Sequence, residues 1–191
     1  MSRLGAFIAG VRVLDVSRHL PGPLATLLLA DMGALVTKVE PPRGDEMRSI
    51  GPGQDGVSHA FRAVNAGKAT RRLDLKSDAG RAAFLALARE TDVLVESFRP
   101  GTMERLGLGP ATLRAANPGL IYCALSGFGS TGPRRQQAGH DLTYLALTGV
   151  LDAMGPPRVA YPPPADTSGA LFATIAILGA LHARGRDGRA A

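Results

Sequence analysis

The sequence predicts an α/β fold, a doubly wound domain on a mainly parallel, Rossmann-like sheet. Three observations carry that expectation. Short β-branched runs alternate with apolar or amphipathic helical stretches, glycine and proline mark the junctions, and the first three elements form a βαβ unit. "VRVLDV", Val11 to Val16, reads as the first strand. "GPLATLLLADMG", Gly22 to Gly33, reads as a helix closed by its glycine, and "LVTKVE", Leu35 to Glu40, as the second strand. A Pro/Gly-rich loop from Pro41 to Gly56 follows. The third strand is expected near "RRLDLK", Arg71 to Lys76, then a helix from Asp78 to Glu90 capped by Ser77 or Asp78, and a fourth strand "DVLVES". "PATLRAAN" opens with Pro110 in a first-turn position, and the strand "LIYCALSGFG" comes after it. Repeated strand–helix alternation places a ligand outside the carboxyl ends of the strands.

Length and composition narrow the function classes. At 191 residues the chain suits one domain spanning residues 1–191, and 45% hydrophobic with 20% charged residues is ordinary for a soluble globular protein. Cys123 is the single cysteine, which excludes an intrachain disulfide and a cysteine-based zinc site and suits a reducing cytoplasm. The N-terminus lacks a sustained apolar core and cleavage site, so no signal peptide is read. The most apolar segment, Ala170 to Ala183, falls short of the roughly 20 residues a membrane span needs and is expected as a buried helix. Membrane is therefore not expected as a partner. The net charge of +6 raises nucleic acid, but the arginines are dispersed and no stacking motif accompanies them, so no nucleic acid partner is expected. A small polyphosphate explains the same excess of charge.

"GFGSTG", Gly127 to Gly132, matches a dinucleotide fingerprint directly after a strand. Pro133 and "RRQQ" follow where an apolar helix should pack, and the first βαβ unit, where the fingerprint belongs, has "SRHLPGP" instead. A glycine-rich loop with another job is the better reading. More pointed is "QQAGHDLTYLALTGVL", which sets His140 and Asp141 at the mouth of an apolar run. Read alone, His140 is a loop or cap histidine, Asp141 caps the "LTYLALTGVL" helix, and Asp166 in "PPPADTSGALFATIAIL" is a helix N-cap.

Several segments together resemble family III CoA-transferases, the group that contains α-methylacyl-CoA racemase, formyl-CoA transferase and carnitine CoA-transferase. They are "GVRVLDVSRHLPGPLATLLLADMGALVTKVEPPRGDEMR", "RRLDLKSDAGR", "DVLVESFRPGTMERLGLGP", "NPGLIYCALSGFGSTGP" and "AGHDLTYLALTGVL", in the family's order from about Gly10 to Gly188. The resemblance implies an enzyme whose N-terminal α/β domain binds an acyl-CoA, with no cofactor beyond the CoA thioester. Members are about twice as long, so the small domain is expected to be absent here. Either a homodimer or a further chain supplying the C-terminal half is the expected partner, with little turnover from this chain alone.

In the racemase branch, the resemblance assigns the two bases to His140 and Asp166, one on each face of the carbon beside the thioester. Backbone N–H groups at the helix start would stabilise the enolate oxygen. In a transferase Asp166 is instead the nucleophile and His140 is not needed; a non-catalytic CoA-binding role is the third alternative. CoA contacts are implied for Leu73, Asp74, Leu75 and Lys76, for Ser97, Phe98, Arg99 and Arg105, and for Gly139, Asp141 and Tyr144. The family places an arginine immediately after the acidic end of the second strand; this chain has Pro41 there, and Arg43 is the candidate substitute.

Overall fold

A computed structural model describes residues 5–156 and 158–187. Gly188, where the resemblance ends, and Arg189 of the basic tail lie outside the described residues. The chain runs β1 (Arg12–Asp15), α1 (Pro21–Asp31), β2 (Leu35–Glu40), a 3-10 turn (Glu46–Ser49), β3 (Gly53–Gln54), β4 (Val57–Ser58), α2 (His59–Asn65) and β5 (Ala69–Arg72). It continues through α3 (Asp78–Arg89), β6 (Val93–Glu96), α4 (Thr102–Arg105), α5 (Pro110–Ala116) and β7 (Ile121–Ala124), then α6 (Asp141–Leu147), α7 (Val150–Ala153) and α8 (Pro164–Asp187).

Five strands form one sheet in the order β5-β2-β1-β6-β7, and each neighbouring pair is parallel. The chain enters at β1, winds outward to β2 and β5, then returns to lay β6 against the other side of β1. The two directions of winding part between β1 and β6, which opens a crevice beyond their carboxyl ends. Both faces of the sheet are covered, so the strands alternate between two cores. Leu14, Val39 and Leu94 pack with Phe84, Ala88, Met103, Leu108 and Leu113 under α3, α4 and α5. Val13, Val36, Val93, Val95 and Ile121 pack with Leu29 and Ile177 under α1 and α8. Burying one such aliphatic or aromatic side chain contributes about 1.5–3 kcal/mol.

Local signals place several boundaries where the sequence expects them. Gly33 ends the α1 turn at φ +100, Ser77 caps α3 by accepting from the Gly80 N–H at 3.0 Å, and Pro110 opens α5. Others move. The third strand is Ala69–Arg72, not Arg71–Lys76. Leu73 makes a last rung by donating its N–H to the Glu40 carbonyl at 2.9 Å, after which the Asp74 carboxylate accepts from the Lys76 N–H and turns the chain into α3. The Pro41–Gly56 stretch contains the 3-10 turn and one strand of the short β3–β4 hairpin. β7 stops at Ala124, so "SGFG" is loop.

α8 departs most from expectation. It is a helix of 24 residues and, by length and composition alone, long and apolar enough to cross a bilayer, so the argument that this segment is too short does not hold. Nor is it buried all round. Ala170, Ala173, Thr174 and Ile177 recur at helical spacing and face the domain, while Leu171, Phe172 and Ile175 face outward, Phe172 being 73% exposed.

Candidate active site

The crevice between β1 and β6 holds a cavity of about 720 Å³. Its floor is fixed by buried charge. Asp15, the last residue of β1, is fully buried and accepts from the Thr26 hydroxyl at 2.6 Å and from Lys68 Nζ at 3.0 Å. Burial pulls the Lys68 ammonium down to about 8, with the Asp15 carboxylate opposing the fall. Lys38 Nζ donates to the Ser17 carbonyl at 2.9 Å and pairs with Asp45 at 3.0 Å. Every buried side-chain polar atom among the described residues has a partner. These bonds hold the "SRHLPGP" segment above the end of β1. The segment is tied across the crevice as well, the Arg18 N–H donating to Ser97 Oγ at 2.8 Å and the Arg18 guanidinium lying 5.4 Å from the centre of the Phe98 ring.

The far wall is the loop after β7 and the starts of α6 and α8. Tyr144 organises it, donating its hydroxyl to the Gly139 carbonyl at 2.9 Å and packing edge-on against Phe128 with centroids 5.4 Å apart. A Cβ on Gly127 would collide with the Tyr144 hydroxyl, and one on Gly139 would meet the ring. The first glycine of "GFGSTG" is therefore explained by a tyrosine packed on it.

His140 and Asp166 line the same cavity although 25 residues intervene between them. His140 is the N-cap residue of α6, its backbone N–H donating to Thr143 Oγ1 at 3.3 Å. Asp166 lies within the first turn of α8 and is not its N-cap. Asp141 does not cap α6 either. It is the buried first residue of that helix, and its Oδ1 accepts from the N–H groups of Ala165 at 2.7 Å and Asp166 at 3.1 Å, at the start of α8. Thr167 N–H goes to the Pro163 carbonyl, so the free donors expected there for an enolate oxygen are taken. Partial burial and the Asp141 carboxylate raise the Asp166 carboxyl above the ordinary carboxylate range, with His140 and His19 acting against the rise.

Of the other residues singled out in the sequence, Ser97, Phe98, Arg99, Gly139 and Tyr144 line the cavity. Leu73, Asp74, Leu75, Lys76, Arg43, Arg105 and Asp141 are not among its lining residues. Leu73 and Leu75 pack against the core under α3, and Arg105 donates to its own helix at Thr102 Oγ1. Arg18, His19 and Arg135 complete a basic rim that the sequence reading did not assign to the site. The signal for the first two was the segment standing where a dinucleotide fingerprint would sit. At the end of β6 burial raises the Glu96 carboxyl, and on the neighbouring β7 it pushes the Cys123 thiol up to about 11.

The model of CoA-transferase family III matches residues 8–191. An acetyl-CoA:oxalate CoA-transferase of Acetobacter aceti is 42% identical over 95% of this chain and 48% of its own length. The α-methylacyl-CoA racemase of Homo sapiens is 38% identical over 95% of this chain and 46% of its own. The solved structure of a CAIB/BAIF family protein from Brucella suis superposes with a TM-score of 0.90 at 36% identity, over 95% of this chain and 50% of that one. The chain thus spans about half the length of the relatives it matches. A family match across nearly the whole sequence, on a fold shared with a solved CAIB/BAIF protein, means that the chain belongs to family III of the CoA-transferases.

Proposed function

We propose that this chain carries the acyl-CoA site of an α-methylacyl-CoA racemase-type enzyme, acting by two-base transfer of the proton beside the thioester. The observation that supports this reading best is that His140 and Asp166, brought from the starts of two helices, line one cavity at the strand ends. Inversion needs a group that takes the proton from one face of the carbon and another that returns one to the opposite face. A neutral His140 takes the proton and a protonated Asp166 gives one; for the other enantiomer the carboxylate takes and the imidazolium gives. The raised Asp166 carboxyl suits both halves, because its two protonation states lie closer together in energy near neutral pH than those of an exposed aspartate. The CoA phosphates meet the basic rim of Arg18, Arg99 and Arg135.

The test follows deuterium entering the carbon beside the thioester of a 2-methylacyl-CoA, in the assembly that contains this chain. His140→Ala is expected to abolish exchange from one enantiomer far more than from the other, and Asp166→Asn to show the complementary bias. Intact exchange from both enantiomers in His140→Ala sinks the two-base reading. A second reading, CoA transfer, is favoured by the name of the Acetobacter aceti relative, an acetyl-CoA:oxalate CoA-transferase. In it Asp166 attacks the acyl carbonyl, expelling CoA thiolate to give a mixed anhydride, and the thiolate then attacks the aspartyl carbonyl of that anhydride, breaking its C–O bond to release the donor acid as a carboxylate and leave an aspartyl thioester. Transfer to a free acid, lost in Asp166→Asn and kept in His140→Ala, selects it.

CoA binding is tested separately. Titration of CoA against Arg99→Ala is expected to show about tenfold weaker affinity, the loss of one charge-assisted contact. Affinity unchanged in Arg105→Ala removes Arg105 from the site.

A further inference from the structure

Of the glycines in α8, only Gly169 lines the cavity, three residues after Asp166. Nothing in the fold demands a glycine at that place. The residue is helical, it is not among the glycines of positive φ, and a Cβ built on it would meet no heavy atom within 4 Å beyond its chain neighbours and its own helix backbone. Glycine is disfavoured in a helix interior relative to alanine, so its presence there is a cost to the helix. Gly179 and Gly185 of the same helix are open as well, but both are exposed and neither borders the cavity. At Gly127 and Gly139 the Tyr144 ring excludes a side chain; at Gly169 the space is left to the cavity.

The lining of the cavity divides by chemistry. Its arginines stand on loops, Arg18 after β1, Arg99 after β6 and Arg135 after β7. Beyond the reactive pair, α6 with its C-cap lines the cavity with Tyr144, Leu147 and Thr148, and α8 with Ala165 and Gly169, none of them charged. Tyr144, Leu147 and Thr148 recur at helical spacing from His140 and continue the same face, which carries the wall about 12 Å along the helix at 1.5 Å per residue. Tyr144 donates its hydroxyl to the Gly139 carbonyl and Thr148 donates its own to the Tyr144 carbonyl, each at 2.9 Å, so both hydroxyl protons are spent within the wall. Leu147 is half exposed there and offers apolar surface that a hydrocarbon would remove from water. α6 and α8 pack against each other, with Asp141 joining their starts, so both faces border one space.

We propose that Gly169 is a specificity-determining residue of the site: the acyl group lies between α6 and α8, against Leu147 and Thr148, and the side chain missing at position 169 leaves room for its length. The ligand class is an acyl-CoA with an uncharged aliphatic chain longer than acetyl. The inference rests on the acyl-CoA reading above and deepens it, and it is indifferent to whether proton transfer or CoA transfer follows binding.

Equilibrium binding tests this without turnover. Free CoA, acetyl-CoA, hexanoyl-CoA and succinyl-CoA are titrated calorimetrically into the assembly that contains this chain. The native protein is expected to bind hexanoyl-CoA more tightly than acetyl-CoA, by up to about fourfold for each methylene buried. Gly169→Leu, which fills the space, is expected to cancel that gain while leaving the affinity for free CoA unchanged. Gly169→Ala, which favours the helix, is expected to lose part of the gain and serves as the test if the leucine variant does not fold. Succinyl-CoA, whose terminal carboxylate would meet no cation on either helix face, is expected to gain nothing over acetyl-CoA. A gain that survives intact in Gly169→Leu, or in Gly169→Ala where that variant replaces it, overturns the inference. Equal losses for free CoA and hexanoyl-CoA overturn it too, as does succinyl-CoA binding more tightly than hexanoyl-CoA. Absence of affinity for free CoA defeats the acyl-CoA reading along with this one, whereas affinity for free CoA with no gain from acyl length defeats this one alone. Failure of the two-base reading would appear in the exchange assay and leave these affinities unaffected.

Discussion

On the β5–β2–β1 side of the crevice, charges are buried and answered inside the domain: Asp15 by Lys68, Lys38 by Asp45, Glu40 by Arg48. On the β6–β7 side the fold relies on apolar packing, and its long helix α8 turns Leu171, Phe172 and Ile175 away from the domain. The side beneath the β1 end of the cavity is tied by buried ion pairs, and breaking one leaves a buried charge without its partner. The side that supplies His140 and Asp166 is held mainly by apolar packing, with Asp141 fastening the start of α8 to α6. The site lies across the boundary between the two.

The largest expected effect comes from breaking the locked side. Asp15→Ala leaves the Lys68 ammonium buried with only neutral partners, and removing one member of a buried pair costs about 3–5 kcal/mol. The urea midpoint should fall accordingly; a change under about 1 kcal/mol would show that the pair is relieved by water or by movement of Lys68. On the packed side the effect should depend on which edge of α8 is altered. Ile177, 1% exposed, should cost about 2–4 kcal/mol when cut to alanine, whereas Ile175, 64% exposed, should cost within about 0.5 kcal/mol in the chain as described. Equal losses at the two positions would mean that the outward face is covered in solution.

The smallest effect sharpens the wall itself. The fold raises the Asp166 carboxyl above its unfolded value, so its contribution to stability is present in acid and is lost as pH rises through the folded titration. Asp166→Asn, which does not titrate, should therefore gain on the native chain across the interval that opens above the ordinary aspartate value of about 4, read as the difference in urea midpoints. A difference that stays flat across that interval contradicts the raised carboxyl. A gain would fit a residue retained at some cost to stability.

The sheet was legible because each strand announces itself locally, in "VRVLDV", "LVTKVE" and "DVLVES", and a βαβ reading leaves few ways to order them. Boundaries were less so. The third strand ends where Asp74 turns the chain, inside a run that reads as continuous strand, and the extent of α8 depends on an inward edge that a segment apolar throughout does not single out. For the site, His140 and Asp166 were identified by resemblance, and the structure places both on one cavity. His19 went unassigned because only the folded chain brings it to the cavity wall, which no spacing reveals. Asp141 was given to the wrong helix for the same reason, since a sequence displays only the neighbours of a carboxylate along the chain.

That carboxylate has a mechanical consequence. Because Asp141 adjoins His140 on one helix and receives the Ala165 and Asp166 N–H groups from another, the starts of α6 and α8 are fastened to each other by one side chain, whatever course the chain takes between them.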